Sequence, residues 1–225
     1  LNSRVVVAPS ACPISPSESA PEGTVSRFWP LCVALAVLCG CSGAAAPANL
    51  DAALEDAWRS YSTGDFEYAI VRFDLVRQTP AADEEQRFSA LLGLAFSYQL
   101  RPNPDLDRAR EYYELLEKMG TDRARRAALL GLGQIDLAEG ASGDGETKLV
   151  ALMHEYPDSI EADEAAIHLA DSLFRPQPVG DGPGRYVLAS GAVVERGLRL
   201  LEERLRERPH NPLAAAMHMM LAGKY

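Results

Sequence analysis

Residues 54–80 carry the sequence LEDAWRSYSTGDFEYAIVRFDLVRQTP, which contains the clearest structural pattern of the chain. Apolar and aromatic residues recur in it at helical spacing, which predicts two short amphipathic helices. Gly64 lies between them, where a helix exit needs a left-handed backbone, and Pro80 ends the unit. The stretch therefore predicts a pair of helices, the first over about residues 50–62 and the second over about residues 66–78.

The order of residues in this pair resembles the tetratricopeptide repeat. Residues 64–66 (Gly-Asp-Phe) are followed by Ala69, then by Phe73 and finally by Pro80. The family has a small residue, an aromatic residue, Ala-x3-Phe and a terminal Pro within about 34 residues. The resemblance implies an all-α fold in which helix pairs stack into a right-handed solenoid.

The rest of the chain repeats the pair with insertions. Further helices are predicted over about residues 84–100, 106–120, 123–140, 160–174 and 191–209, and a last helix over 213–223 would cap the solenoid. The glycine-rich sequence GASGDGE at residues 140–146 lacks the G-x-x-x-x-G-K-[ST] pattern of a phosphate loop, so we expect a flexible turn there. Residues 50–225 are thus predicted to form about four helix pairs plus a capping helix.

One insertion, residues 175–190 (RPQPVGDGPGRYVLAS), is rich in Pro and Gly. Long loops of this kind in compact domains are usually functional or disordered. We expect this insertion to be the most mobile part of the folded domain.

The N-terminal part has the pattern of a targeting segment. Residues 1–26 are rich in Ser, Pro and Ala without periodicity, so we expect a disordered or wrongly assigned N-terminal extension, with translation starting near Val25. The apolar run at residues 28–38 follows Arg27. It is too short to span a bilayer but has the length of the hydrophobic region of a signal peptide.

The run ends in Leu38-Cys39-Gly40-Cys41, which resembles the bacterial lipobox. The resemblance implies a lipoprotein signal peptide at residues 27–41, a lipid on Cys41 and a flexible tether at residues 42–49. It also implies an outer-membrane lipoprotein facing the periplasm, with the inner membrane as the alternative. An ordinary cleaved signal or a buried helix is the other interpretation of the apolar run.

Composition and motifs argue against several classes of function. The formal net charge of −10 disfavours nucleic-acid binding, which needs clustered Lys and Arg. The four cysteines lie at or before Cys41, so the folded part has no thiol nucleophile or Cys-based zinc site. In the Met-His-Met-Met run at residues 217–220, Met217 and Met220 share a helix face while His218 turns away, so we expect core packing rather than a soft-metal site. With no catalytic triad spacing or dinucleotide fingerprint, we expect no catalytic residues, no metal and no cofactor, and hence no enzyme.

A partner-binding face is predicted on the first helix of each pair. In the repeat register, one face of these helices would line the inner groove, where related repeats bind peptide segments. The residues predicted to line this groove are Leu54, Trp58, Tyr61, Arg87 and Gln134, with Ala90, Leu130 and Leu137 on the same face. The alternative is that Trp58 and Tyr61 pack against the second helix or cover the end of the domain.

The function implied by these resemblances is that of a lipid-anchored scaffold. The Tyr-Pro-Asp-Ser sequence at residues 156–159, placed before a helix, resembles the periplasmic repeat lipoproteins of outer-membrane barrel assembly and of the Tol-Pal system. The expected partners are other envelope proteins or peptide segments, and the membrane through the lipid on Cys41. The alternative is the non-catalytic helical part of an envelope hydrolase or of a ligand-binding complex.

Overall fold

The computed structural model describes residues 49–178 and 186–223. The signal peptide, the lipid site Cys41 and the tether up to residue 48 lie outside these ranges. The described residues form an all-α domain, as the sequence predicts. Its helices are α1 Leu50–Ser62, α2 Phe66–Gln78, α3 Glu84–Leu100, α4 Leu106–Lys118, α5 Asp122–Ala138, α6 Ser142–Glu155, α7 Ile160–Phe174, α8 Gly191–Glu207 and α9 Ala214–Ala222. No helix in these ranges is both long and apolar enough to cross a membrane.

Side-chain caps fix where the helices begin. The Asn49 carboxamide oxygen accepts hydrogen bonds from the first backbone N–H groups of α1, at 3.0 and 3.1 Å. Asp83 and Gln86 form a reciprocal capping box at the start of α3, with bonds of 2.8 and 3.1 Å. Ser159 caps α7 by accepting from the backbone N–H of Ala162 at 3.1 Å. These side chains satisfy backbone N–H groups that have no partner within the helix, so they mark where each helix begins. The predicted starts of these three helices agree with the observed ones.

The glycine-rich stretch at residues 140–146 is not the flexible turn that the sequence predicted. Only its first two residues precede α6, and the turn is made at Gly140, with φ of 84°. Gly145 already lies in the first turns of α6, and a Cβ there would be 2.9 Å from the backbone oxygen of Gly133 in α5. The glycine is therefore used for close approach between two helices.

The helices pack mainly on their neighbours in sequence. Contacts join each consecutive pair from α1 to α9, and the first helices of successive pairs also touch, α1 with α3, α3 with α5 and α5 with α7. This order of contacts places α1, α3, α5 and α7 side by side. Their shared face carries the site described below.

The core is divided into three clusters of buried residues. The first extends from α1 to α5 and contains Phe73 and Tyr113, both fully buried. The second joins α5, α6 and α7 around Leu149 and Leu152. The third joins α7, α8 and α9 around Leu201 and Met217. Met217 is thus a core residue.

Two rings of the first cluster pack on glycines. Phe73 from α2 lies against Gly93 of α3, and Tyr113 from α4 lies against Gly131 of α5. In both cases a Cβ on the glycine would fall well inside van der Waals distance of the ring. Gly133, two residues further along α5, approaches Gly145 and Leu149 of α6 instead, while Gly131 receives the ring.

The insertion between α7 and α8 is described only at its two ends. Gln177–Pro178 (β1) pairs antiparallel with Tyr186–Val187 (β2), with Gln177 opposite Val187. This two-residue ladder was not expected from the sequence. The remainder of the insertion, residues 179–185, lies outside the described residues, so its predicted mobility stays a prediction.

Candidate functional site

A cavity with an apolar floor opens on the face shared by α3, α5 and α7. Its volume is about 480 Å³. Phe88, Leu92 and Phe96 of α3 line the cavity. These three residues are spaced four apart, and this spacing brings their side chains to the same face of the helix. Ala127 and Leu130 line the cavity from α5. An apolar cavity with a few polar groups at its edge is the usual form of a binding site in a protein.

Charged side chains border this floor. Arg123 of α5 forms an ion pair with Glu85, and its guanidinium carbon lies 4.2 Å from the centre of the Phe88 ring. Glu161 of α7 accepts a hydrogen bond of 3.2 Å from Arg126 Nε. Glu164, one turn further along α7, has no ion pair or hydrogen bond to any described residue. The cavity therefore combines two neutralised charge pairs with one uncompensated carboxylate.

The environment shifts the pKa of two side chains of α7 in this cavity. Burial raises the pKa of Glu164, and repulsion from Glu161 adds to the rise. His168 is accessible from the cavity, yet the atoms around its imidazole desolvate it and lower its pKa, an effect that Asp171 partly opposes. Both shifts disfavour the charged form of a side chain, as expected in a partly desolvated cavity.

A second cavity, of about 670 Å³, continues from the first toward the end of α7. The two share Gln99 and Leu100 of α3, Gln134 of α5 and His168 of α7. At their junction the Tyr113 hydroxyl donates to Gln99 Oε1 at 2.6 Å, and Gln99 Nε2 donates to Gln134 Oε1 at 3.0 Å. Together the two cavities form one groove along α3, α5 and α7, which we call the A-face groove.

The structure brings only two of the five predicted groove residues to this groove. Tyr61 and Gln134 line it, and burial raises the pKa of the Tyr61 hydroxyl. Leu54 lies in the core and is 8% exposed. Arg87 is exposed and donates to the Pro80 carbonyl at 3.1 Å, outside the cavity lining.

Trp58, the remaining predicted anchor, packs in the seam between α1, α2 and α3. Its ring centre lies 4.9 Å from that of Phe73 and 6.4 Å from that of Phe96. Its indole N–H donates to the Ser89 hydroxyl at 2.9 Å. Trp58 is not among the residues that line the cavity. This geometry agrees with the alternative given above, in which the tryptophan packs within the domain.

The residues that sequence reasoning missed are the α3 side chains of the floor and the α7 wall. Leu130 lines the first cavity and Leu137 the second, whereas Ala90 is fully buried. Phe88, Leu92 and Glu164 were not singled out as site residues. The spacing of Phe88 and Leu92 could be seen in the sequence. However, the apolar residues of α3 occupy several faces of the helix, so periodicity alone did not show which face opens to solvent.

Comparison of the chain with protein-family models, with curated proteins and with solved structures gives no match. Among the described residues, no group of three or more His, Cys, Asp or Glu side chains is arranged to hold a metal ion. The fold and the groove therefore define an all-α protein of tandemly packed helices, and its function must be inferred from the groove.

Proposed function

We propose that the protein is a lipid-anchored, tetratricopeptide-like scaffold of the bacterial cell envelope that binds segments of partner proteins in the A-face groove. The observation that carries the proposal is the groove itself, formed by the first helices of successive pairs. Helix grooves with an apolar floor are a recurring means of recognising peptide segments. The repeated order of caps, turns and glycine contacts supports a repeat origin for the fold.

The lipid anchor in this proposal rests on residues 27–41, which precede the described part of the chain. An apolar run followed by Leu38-Cys39-Gly40-Cys41 supports processing at Cys41. One acyl chain binds a membrane only marginally, whereas several chains anchor a protein stably. A lipoprotein modified with several chains on Cys41 would remain on membranes washed with high salt.

The groove half of the proposal can be tested by crosslinking in cells. A photo-reactive amino acid replaces Leu100, which is 56% exposed and lines both cavities. The matched control is the same replacement of Val71 on α2, which is 65% exposed and outside both cavities. We expect the photo-reactive residue at position 100 to give discrete crosslinked bands that contain a partner protein. The same bands should be absent when the photo-reactive residue is at position 71. The same bands from both positions would place binding elsewhere.

The anchor is tested in the same cells with Cys41→Ser. We expect the wild-type protein to stay in the salt-washed membrane fraction and the variant to appear in the soluble fraction. Mass spectrometry of the N-terminal peptide should show acyl chains on Cys41. A wild-type protein that salt removes from the membrane would contradict the lipid anchor without affecting the groove.

A further inference from the structure

The charge balance of the A-face groove indicates what kind of segment it accepts. Arg123 is neutralised by Glu85, and Glu161 is neutralised by Arg126. Glu164 lies between the apolar floor and His168 without an ionic partner among the described residues. Because His168 has a lowered pKa, it is mostly neutral near pH 7 and does not compensate the carboxylate. The groove is left with one negative charge beside an apolar surface.

Partial burial makes this charge costly in the free protein. A carboxylate that loses water without gaining a partner is destabilised, and the raised pKa of Glu164 reports that cost. A ligand cation placed there would replace the lost hydration with a charge-assisted hydrogen bond. An anionic ligand would be repelled by Glu164 and by the net charge of the chain, which is −10.

The apolar floor beside Glu164 indicates that the ligand also carries an apolar side chain. Leu92, Phe96 and Leu130 offer a surface without hydrogen-bonding side chains, in a cavity of about 480 Å³. This volume lies within the range of roughly 300–1,000 Å³ found for sites that hold small ligands. A cavity of this volume can hold a large apolar side chain of a bound peptide together with a second side chain next to it. In an extended peptide, side chains two residues apart point to the same side, so one segment can present both a cation and an apolar group to the groove.

We propose that the A-face groove binds an extended partner segment in which a Lys or Arg lies two residues from a large apolar side chain. The cation pairs with Glu164, and the apolar side chain contacts the floor formed by Leu92, Phe96 and Leu130. This inference rests on the proposed function and adds the chemical class of the partner. A basic and apolar segment, rather than an acidic one, is the ligand that fits the charge of this groove.

The test uses the full chain carrying Cys41→Ser and three fluorescein-labelled peptides with a common Gly-Ser host sequence. Their central residues are Arg-Ala-Phe, Glu-Ala-Phe and Arg-Ala-Ala. Fluorescence anisotropy should show the Arg-Ala-Phe peptide binding at least tenfold more tightly than either of the others. Because a hydrogen bond to a charged group contributes about 1.5–3 kcal/mol, Glu164→Gln should weaken the Arg-Ala-Phe peptide about tenfold or more. It should not weaken the Glu-Ala-Phe peptide.

Glu117→Gln is the matched control, because Glu117 is exposed on α4 and lies outside both cavities. It should leave all three affinities unchanged. Glu164 has no described partner to lose, so we expect Glu164→Gln to fold as the wild type does, which circular dichroism and the melting temperature can confirm.

The outcomes separate this inference from the proposed function. If the Arg-Ala-Phe and Glu-Ala-Phe peptides bind equally and Leu130→Ala weakens both, the groove binds segments but the charge preference is wrong. If Glu164→Gln and Glu117→Gln weaken binding equally, Glu164 is not the cation site. If none of the peptides binds and position 100 gives no crosslinks in cells, the proposed function fails as well.

Discussion

At the scale of single residues, Gly93 and Gly131 control how closely α3 and α5 approach the preceding helix pair. Each lies directly under a fully buried ring, Phe73 in one case and Tyr113 in the other. Tyr113 is further fixed because its hydroxyl donates to Gln99 at 2.6 Å. A methyl group on either glycine would have to displace a ring that is fully buried in the core.

We therefore expect Gly93→Ala and Gly131→Ala to lower the free energy of unfolding. Overpacking of a core costs about 1–3 kcal/mol, and the better helix propensity of Ala returns at most about 1 kcal/mol. Urea denaturation of each purified variant measures the difference. Gly131→Ala should have the larger effect, since moving the Tyr113 ring also disturbs its hydrogen bond to Gln99.

Gly143→Ala is the control for this prediction. Gly143 is also in a helix, α6, but a Cβ there would meet no atom within 4 Å. This variant should be as stable as the wild type or slightly more stable. Combining Gly93→Ala with Phe73→Leu should cost less than the sum of the two single changes, because the smaller side chain makes room for the methyl group. Strict additivity would show that the ring is not the obstacle.

The glycines also show what could be predicted from sequence at this scale. Phe73 was recognised as part of a repeat pattern, and the structure places its ring against Gly93 of the next helix pair. The choice between Gly131 and Gly133 could not be made, because both are helical and two residues apart. Which of them meets the preceding ring depends on the rotation of α5, and that rotation is set by packing between helices rather than by local propensity.

At the scale of helices, Asp136 ties three elements together. Its carboxylate on α5 is 4% exposed and accepts from Arg110 of α4 at 2.8 Å and from Lys148 of α6 at 2.5 Å. Burial alone would raise the pKa of Asp136, but the hydrogen bonds from Lys148 and Arg110 outweigh it, and the pKa is lowered. Asp163 has a similar role between α7 and α8, with Arg204 Nε at 2.7 Å and Arg208 at 2.8 Å.

The lowered pKa of Asp136 predicts a pH-dependent contribution to stability. A carboxyl group with a folded-state pKa below its unfolded value of about 3.9 stabilises the fold above that pH, and the contribution is lost as the pH falls through the folded-state pKa. Asp136→Asn should therefore be less stable than the wild type at pH 7, by about 1–3 kcal/mol, because Arg110 and Lys148 lose charge-assisted hydrogen bonds to the carboxylate. The difference should shrink below about pH 4.

Urea midpoints of the wild type and of Asp136→Asn, compared between pH 7 and pH 3, measure this effect. Asp107→Asn on the exposed side of α4 is a suitable control, since no ion pair involves that side chain among the described residues. A constant difference between Asp136→Asn and the wild type at every pH would mean that the loss comes from packing and not from charge.

Helix boundaries were the best-predicted feature at this scale, and side-chain networks were the worst. Asn49, Asp83 and Ser159 are local signals, because a cap acts on the backbone two or three residues away. The three-helix contact at Asp136 joins residues far apart in sequence. Charged residues are common along all these helices, so pattern alone did not distinguish this buried carboxylate from its exposed neighbours.

At the scale of the whole described domain, the division of the core into three clusters suggests that stability is also divided. Phe73 lies in the cluster of α1 to α5, and Leu201 lies in the cluster of α7 to α9. No described residue belongs to both the first and the last cluster. Proteins in which each unit contacts only its neighbours can loosen at one end while the other stays folded.

A mild change in each cluster should therefore act locally. We expect Phe73→Leu to speed amide hydrogen exchange in α1, α2 and α3 while leaving α8 close to the wild type. Leu201→Val should do the reverse, with faster exchange in α8 and α9 and little change in α2. Small substitutions are chosen because removing a methylene or reshaping a core side chain costs only about 0.5–1.5 kcal/mol, which leaves the domain folded.

Hydrogen-exchange mass spectrometry with peptide coverage of every helix distinguishes the two possibilities. Local acceleration in both variants would support the tandem arrangement on which the proposed scaffold depends, because each end would respond to its own core. Equal acceleration across α1 to α9 in both variants would show one cooperative unit, and the helices would then be better described as a single globular bundle. The A-face groove spans the first two clusters, so in the tandem case Phe73→Leu should also weaken binding of the Arg-Ala-Phe peptide, while Leu201→Val should leave it unchanged.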